Sequence, residues 1–360
     1  MIVIADDITG AAEIAGIAFT HGADVRLVCG SVCGVNNATY QTGGTTVIAT
    51  DTRSMSEAEA VAETSSIASA ISHQPSALFK KTDSALRGHV VAELQALMET
   101  TGALRCVYLP ANPSKGRTIR NGIYYINNVP IHETDFSFDP EFPAKTSVLR
   151  ERFPDAEEKG IIMPDAESEE NISKVVAKYN DGKTIFAGAA DLFSTMIGIG
   201  CGRLKKSIAK HPIPIIQAQN STLILCGSTQ SKALDLGIPL APMPQEIYDG
   251  GDDLSLWDTT AYESEHCLIL TIPHTHRTGK EVAVHLRSVM ARMTKQLVSE
   301  HRPDHLIIEG GATAWATLQA LNWTEFQIER QIAPGVVQMS ATNGTLVTLK
   351  PGSYPWGNLF

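Results

Sequence analysis

Short apolar runs alternate with longer amphipathic stretches through the first half of the chain. The first run, "IVIA", is too short for a helix. After "DDITG" it gives way to "AAEIAGIAFTHG", the pattern of a helix that ends at a glycine. Further strands are predicted for "VRLVC", "TTVIA", "ALFKK" and "CVYLPAN", with helices between the last three of them. Strands that alternate with helices form mainly parallel sheets covered on both faces. The N-terminal half is therefore predicted to be an α/β domain.

The pattern breaks between residues 112 and 143. Within this stretch "GIYYINNVPIH" predicts a hairpin that turns at Asn127–Asn128. The stretch holds too many aromatic and branched residues for disorder. Irregular segments of this length inside compact domains are usually functional. A regular α/β pattern then resumes, with a helix predicted near Glu169 to Lys178.

The prolines of His211–Asn220 interrupt both periodicities and predict a linker. Beyond it the chain again alternates, with apolar runs in "TLILCGS", "CLILTIP", "HLIIEGGATAWATLQAL" and "TLVTLKPGS" and a long helix from about Gly279 to His301. We predict two α/β domains with mainly parallel sheets, residues 1–215 and 216–360, and an active site in the cleft between them. A linker of this kind also predicts closure that excludes water.

Composition and charge narrow the class of protein. The 360-residue chain has a formal net charge of -10, which opposes non-specific binding to nucleic acid or to anionic lipid. No apolar run reaches the roughly 18 residues of a membrane span. The start, "MIVIADD", has no basic segment ahead of its apolar stretch. We therefore expect a cytoplasmic protein with no nucleic-acid or membrane partner.

Charged side chains follow three of the predicted strands. Asp6 and Asp7 follow the first, Asp51 and Arg53 follow "TTVIAT", and the passage from Lys80 to Arg87 closes "ALFKK". In doubly wound sheets, ligands bind beyond the carboxyl ends of the strands. Three such ends would bring these groups to one rim, where a small, polar, anionic ligand could be held.

The residue types suggest two kinds of contact at this rim. Cations suit a carboxylate or a phosphate, and the candidates are Arg53, Lys80, Lys81, Arg87, Arg117 and Arg120. Carboxylates suit sugar-type hydroxyls, and one could accept a hydroxyl proton; the candidates are Asp6, Asp7 and Asp83. Each piece also has a purely structural interpretation, as a helix cap, a turn with an ion pair, or a solvated helix start.

Three apolar runs of the second predicted domain end in the glycine turns "CGSTQS", "EGGATA" and "KPGS". Backbone N–H groups at helix starts can bind phosphate without a charged side chain. Neither of the first two turns has the Walker A spacing. "GIGCGR" lacks the third glycine of a dinucleotide fingerprint, and His274–Thr275–His276 has no third metal ligand in view.

These segments together resemble the four-carbon acid sugar kinases. In order, the landmarks are "IADDITGAAEIAG", "TDTRS", "FKKTDSALRGHVVAEL", "PANPSKGRTIRNGIYYINNVPIHETDFSFDP", "CGSTQS", "EGGATAWATL" and "LVTLKPGSY". The resemblance covers nearly the whole chain. It implies ATP-dependent phosphorylation of the terminal hydroxyl of a tetronate such as threonate, erythronate or a 3-oxo-tetronate, with Mg²⁺ bridging the nucleotide phosphates.

The resemblance also assigns roles to residues. It implies that the N-terminal domain holds the acid sugar and that the C-terminal domain holds ATP, through Ser228, Gly310, Gly311, Thr313 and Gly352. Catalytic roles are then predicted for Asp6, Asp7, Lys81, Asp83 and Arg87, and substrate contacts for Arg53, Ser84, Arg117 and Arg120. The acidic pair could alternatively ligate Mg²⁺. The identity of the base, the tetronate and any homo-oligomer stay open.

Two departures from the family pattern keep an alternative in view. The family's TGGDT reads "EGGAT" here, with Glu309 and Ala312 at the threonine and aspartate positions, and the chain ends in "KPGSYPWGNLF". A non-catalytic acid-sugar-binding protein of the same fold is the main alternative. A dinucleotide-dependent oxidoreductase would need a complete GxGxxG after a strand, which the sequence lacks.

Overall fold

The structure is a computed structural model that describes residues 1–30, 44–71, 77–139, 141–200, 221–227, 236–273 and 279–352; for residues 199 and 200 it describes the backbone alone. These residues form two compact units. The first contains the described residues up to 200 except Arg26–Cys29, and the second contains Arg26–Cys29 and the described residues from 221 onward. The predicted linker and the predicted boundary at residue 215 lie outside the described residues, so both stay predictions.

The elements are numbered in chain order. The strands are β1 (Ile2–Ala5), β2 (Val25–Cys29), β3 (Thr45–Ala49), β4 (Leu78–Lys81), β5 (Arg105–Leu109), β6 (Arg117–Arg120), β7 (Ile123–Ile126), β8 (Val129–Pro130), β9 (Ile161–Ile162), β10 (Thr184–Gly188), β11 (Thr222–Cys226), β12 (Leu240–Pro242), β13 (Cys267–Thr271), β14 (His305–Glu309), β15 (Glu325–Ala333), β16 (Val336–Ala341) and β17 (Leu346–Lys350).

The helices are α1 (Ile8–Thr20), α2 (Glu57–Ile71), α3 (Val90–Thr101), α4 (Leu149–Arg152), α5 (Glu169–Tyr179), α6 (Ala190–Gly200), α7 (Gln245–Tyr248), α8 (Ala261–Glu265), α9 (Lys280–His301) and α10 (Gly311–Leu321). Among the described helices, none is both long and apolar enough to cross a membrane. The helices predicted near Glu169–Lys178 and Gly279–His301 are confirmed as α5 and α9.

The first unit is built on a six-stranded sheet in the order β3-β1-β4-β10-β5-β9, in which every pairing is parallel. Its central strands are buried on both faces, as Val3, Ile4 and Phe79 show. Helix α2 packs on α3, and α6 packs on both α1 and α5. The α/β class predicted from the alternating pattern is confirmed.

Residues 117–130 of the irregular stretch form a separate antiparallel sheet of β6, β7 and β8. The hairpin between β7 and β8 turns at Asn127 and Asn128, whose φ angles are 50° and 65°. Asparagine tolerates this left-handed backbone better than most residues, so the predicted turn is confirmed for the expected reason.

The second unit is also built on a mainly parallel sheet. Strands β12-β13-β11-β14-β17 are parallel, and β16, β15 and β2 continue the sheet in antiparallel fashion. The sequence pattern placed strand β2 with the N-terminal half, but its residues Arg26–Cys29 belong to the second unit, where Leu27 pairs with Phe326. An apolar run predicts a strand but does not indicate which sheet the strand joins.

Candidate active site

Three strand ends of the first unit meet at one edge. Parallel register pairs Ala5 of β1 with Ala49 of β3 and with Lys81 of β4, so the residues that follow these strands emerge side by side. The predicted rim is therefore present. It brings together Asp6, Asp7, Arg53, Lys81, Asp83, Ser84, Arg87 and Arg117.

Arg53 lies at the centre of three carboxylates. Its Nε and Nη2 donate to Asp6 at 3.1 and 2.9 Å, and Nη2 also donates to Asp7 Oδ1 at 3.0 Å. Asp83 Oδ1 lies 3.9 Å from the same Nη2. The guanidinium is thus surrounded by protein carboxylates and fixes their positions relative to one another.

The neighbouring carboxylates Asp6 and Asp7 have opposite pKa shifts. Burial raises the pKa of Asp6, and the attraction of Arg53 only partly offsets this effect. Burial also opposes ionisation of Asp7, but Arg53 and Lys81 outweigh it and lower the pKa of that carboxyl. Asp7 therefore stays anionic to lower pH, and Asp6 takes up a proton more readily.

The start of α1 holds Asp7 and Lys81 close together. Asp7 caps the helix by accepting from the N–H of Gly10 at 3.0 Å, so its structural interpretation is also correct. Lys81 Nζ donates to the carbonyl of Thr82 at 2.9 Å and lies 3.8 Å from Glu13. A Cβ on Gly10 would lie 2.6 Å from Asp7 Oδ1 and 3.1 Å from Lys81 Nζ. A Cβ at position 10 would therefore displace the Asp7 carboxylate.

Asp83 and Arg87 form a bidentate ion pair within one loop. Arg87 Nε and Nη2 donate to Asp83 at 2.8 and 3.1 Å, and Asp83 also accepts from the backbone N–H of Ala85. Burial opposes ionisation of Asp83, but Arg53 and Arg87 hold its pKa well below the usual range. The loop is tightly turned, since Leu86 has φ 63° and Gly88 has φ 94°.

An aromatic ring links the two remaining arginines of the rim. The guanidinium carbons of Arg87 and Arg117 lie 5.9 and 5.7 Å from the centre of the Phe136 ring. Arg117 also donates to the hydroxyl of Ser84. Phe136 was not singled out in the sequence; its only signal was its place in the irregular stretch.

Lys80 faces away from the rim. Its ammonium donates to Glu93 Oε2 at 2.6 Å, and the hydroxyls of Thr52 and Thr64 donate to the same oxygen at 2.8 and 3.1 Å. Successive residues of a strand point to opposite faces, so Lys80 and Lys81 cannot share a site. The inclusion of Lys80 among the cations of the rim was therefore wrong.

Arg120 also lies apart from the cluster. It is exposed, pairs with Glu167 at 3.5 Å and stacks over the Tyr125 ring at 4.5 Å. Arg117 and Arg120 are three residues apart on β6, which puts their side chains on opposite faces of that strand. The substrate contact predicted for Arg120 stays a prediction, and the position of its side chain does not favour that contact.

The second unit builds its glycine turn at the end of β14. Gly310 has φ 96°, and its N–H donates to the carbonyl of Lys350 at 2.9 Å, just before α10 begins at Gly311. A Cβ on Gly227 would lie 2.0 Å from Thr313 Oγ1, so two glycine turns pack closely here. The first N–H groups of an α-helix have no acceptor within the helix and are suited to a phosphate. Ser228 lies outside the described residues.

Glu309 and Lys350 form a buried ion pair beside this turn. They are register partners on β14 and β17, their side chains are 0% and 2% exposed, and Lys350 Nζ donates to Glu309 Oε1. Lys350 Nζ also lies 3.4 Å from the carbonyl of Gly352. Within the described ranges, no group of three or more His, Cys, Asp or Glu side chains is placed to hold a metal ion.

Comparisons with known proteins match two family models to the chain. Residues 1–156 match the family model described as a sugar-binding N-terminal domain, and residues 256–354 match the one described as a nucleotide-binding C-terminal domain. A 3-oxo-tetronate kinase from Brucella melitensis is 24% identical over 98% of this chain and 92% of the relative. A D-threonate kinase from Salmonella typhimurium is 32% identical, over 42% of this chain and only 35% of the relative.

A solved Haemophilus influenzae protein has the same fold, with a TM-score of 0.73 at 20% sequence identity over 100% of this chain and 98% of that one. Both family models and the curated relatives point to one class of protein, the phosphotransferases that act on sugar acids. The chain belongs to the four-carbon acid sugar kinase family.

Proposed function

We propose that this protein uses ATP to phosphorylate the terminal (4-) hydroxyl of a four-carbon acid sugar such as threonate, erythronate or a 3-oxo-tetronate. The cluster at the ends of β1, β3 and β4 carries this proposal. It places three carboxylates, which suit hydroxyl donors, next to two partly exposed arginines, which suit a carboxylate. A small polyhydroxy acid offers both kinds of group. Relatives named as kinases of D-threonate, D-erythronate and 3-oxo-tetronate support this substrate class.

The carboxylates take different parts in this proposal. Asp7 orients the accepting hydroxyl, because its side chain is 17% exposed while that of Asp6 is only 3% exposed. Asp7 is also held anionic by Arg53 and Lys81 against the opposing effect of burial. Phosphoryl transfer has a loose transition state, so the acceptor needs correct placement more than a strong base.

The cations have two kinds of role, since one holds the carboxylates in place and the others bind the ligands. Arg53 keeps the three carboxylates in place, whereas Arg87 and Arg117 are partly exposed and hold the carboxylate of the acid sugar. Lys81 lies beside Asp7 at the start of α1, where an ammonium can neutralise the phosphoryl group as it is transferred. These roles explain why so much charge collects at one edge of the sheet.

ATP would be held by the second unit. The turn at Gly310 and Gly311 and the first turn of α10, which includes Thr313, suit the phosphates through backbone N–H groups. Roles for Ser228 and Gly352 are carried over from the family. The nucleotide supplies the phosphoryl group, and Mg²⁺ would arrive with it, held mainly by phosphate oxygens.

The proposal is tested by ADP release with Mg-ATP against D- and L-threonate, D- and L-erythronate and their 3-oxo relatives. We expect turnover with at least one of them and a loss of roughly 100-fold or more in Asp7→Asn, since general acid–base and positioning groups contribute about that much. Asp253→Asn is the matched control. Asp253 also caps a short helical turn, by accepting from Ser255 N–H at 3.0 Å, but it is exposed and belongs to the second unit.

The other outcomes are informative. Binding of one acid without turnover and without ATP binding would favour the non-catalytic acid-sugar-binding protein, for which Ala312 is the supporting feature. Neither binding nor turnover with any acid of the panel would contradict the proposed function.

A further inference from the structure

Arg152, the last residue of α4, donates hydrogen bonds to three backbone carbonyls. Nη2 and Nε donate to the carbonyl of Leu86 at 2.8 and 3.3 Å. Nη1 donates to the carbonyl of Pro143 at 3.1 Å, and Nη2 to that of Phe142 at 3.4 Å. One guanidinium therefore joins two segments that lie far apart in the sequence.

Both segments position Arg87. Leu86 precedes Arg87 in the loop that carries Asp83, and Asp83 is the bidentate partner of Arg87. Phe142 donates its N–H to Asp139 Oδ1 at 2.7 Å, and Asp139 Oδ2 lies 3.6 Å from Arg87 Nη1. The two carboxylates beside Arg87 thus come from the two segments that Arg152 joins.

The backbone of Leu86 needs such support. It has φ 63°, in the left-handed region that a bulky residue avoids, and its side chain is buried. A strained residue persists only where its surroundings hold it, and two N–H groups of Arg152 converge on its carbonyl. A lysine ammonium lacks the planar fork that reaches several carbonyls at once.

We propose that Arg152 is a positioning residue that fixes the guanidinium of Arg87 at the acid-sugar site. The identity of the ligand rests on the proposed function. The position of Arg87 does not, and it can be measured without any ligand. A residue that merely stabilised the fold would lower the melting temperature without acting through Arg87.

The kinetic test compares Arg152→Gln and Arg152→Lys with Arg150→Gln. Arg150 lies on the same short helix with a side chain that is 78% exposed, so it is a matched control. We expect kcat/KM for the acid sugar to fall roughly 10- to 100-fold in both Arg152 variants, since small misplacements of binding groups cost that much. The KM for ATP should stay within about twofold, and Arg150→Gln should match the wild type.

A double-mutant cycle separates positioning from general stabilisation. If Arg152 acts through Arg87, then adding Arg152→Gln to Arg87→Ala should cost less than about twofold more, because interacting residues are not additive. Full additivity of the two losses would overturn the proposal. Should Arg152→Gln fail to fold, Arg152→Lys carries the same comparison.

A ligand-free measurement keeps this proposal distinct from the proposed function. The side-chain Nε–H signal of Arg87, assigned by its loss in Arg87→Lys, should be protected from solvent exchange because it donates to Asp83. We expect this protection to be lost in the Arg152 variants and kept in Arg150→Gln. An unchanged signal in a folded Arg152 variant contradicts the proposal. Absence of turnover in the wild type would contradict the proposed function alone.

Discussion

Three aspartates at one sheet edge behave differently because their neighbours differ. Asp83 has two arginines beside it and Asp7 shares Arg53 and Lys81, whereas burial dominates for Asp6. A depressed folded-state pKa stabilises the fold at pH values above the unfolded pKa of about 3.9. That contribution is lost as the pH falls through the lower folded value. The raised pKa of Asp6 works in the opposite direction.

Asp83→Asn should therefore lower the free energy of unfolding at pH 7 by about 1 to 3 kcal/mol, since it removes charge-assisted hydrogen bonds from Arg87. The loss relative to wild type should shrink as the pH falls below about 4, where the wild-type carboxylate begins to lose its advantage. Urea unfolding at pH 7 and at low pH measures both effects. Asp252→Asn is the control, because that side chain is 74% exposed and its bond to Arg292 is a surface pair.

Glycine 10 offers a second prediction at the residue scale. Gly10→Ala places a Cβ against Asp7 Oδ1 and Lys81 Nζ, so we expect displaced charges and at least a tenfold loss of kcat/KM, an order typical of misplaced groups. Gly198→Ala is the matched helical control, since among the described residues no atom beyond its chain neighbours and its own helix backbone lies within 4 Å of the added Cβ. That variant should gain up to about 1 kcal/mol from helix propensity and keep its activity. Equal activity of the two variants would contradict this account of Gly10.

At the scale of elements, β4 shows both the strength and the limit of sequence reasoning. Its apolar run predicted a strand, and the alternation of strand side chains implies opposite faces for Lys80 and Lys81. The acidic partner of Lys80, which is Glu93, could not be predicted from this alternation. Glu93 lies on α3 and Lys80 on β4, so their contact depends on how the helix packs on the sheet rather than on local pattern. The same limit left Arg152 and Phe136 unnoticed.

Substitutions of Lys80 and of Lys81 should have different effects. Lys80→Met leaves Glu93 buried without its cation, so we expect a loss of about 3 to 5 kcal/mol in the free energy of unfolding. Replacing both partners, in Lys80→Met/Glu93→Leu, should recover part of that loss. Lys81→Met should instead remove turnover and cost less stability than Lys80→Met, because Lys115 still contacts Glu13 and Arg53 still contacts Asp7. Chemical denaturation and ADP release, measured on all three variants, decide between these outcomes.

At the scale of the whole molecule, the chain forms two compact units with different predicted ligands. The parallel sheets of both units and the glycine turn after β14 could be predicted, because apolar runs and glycine residues are local sequence signals. The sheet that β2 joins could not be predicted, since pairing between strands that are distant in the sequence has no local signal. Strand β2 carries residues Val25–Cys29, yet its antiparallel partner begins at Glu325.

Ligand binding should stabilise the units separately. A ligand at 100 times its Kd adds about 2.7 kcal/mol to the species that binds it. We expect calorimetry to show that a tetronate raises the unfolding temperature of the first unit and that a non-hydrolysable ATP analogue raises that of the second. A shift of one common transition by either ligand would contradict this prediction. Small-angle scattering with both ligands present tests for the compaction expected from closure.

The membership of β2 also affects how the protein is made and how it can be divided. Residues Arg26–Cys29 leave the ribosome early, but their partner strand β15 begins only at Glu325. Leu27 of β2 and Phe326 of β15 are register partners, and both side chains are buried. A fragment that began after residue 30 would therefore expose a bare sheet edge at Glu325–Gln327, the kind of edge that recruits other chains into aggregates. Splitting the gene between its two family domains would separate a strand from its sheet.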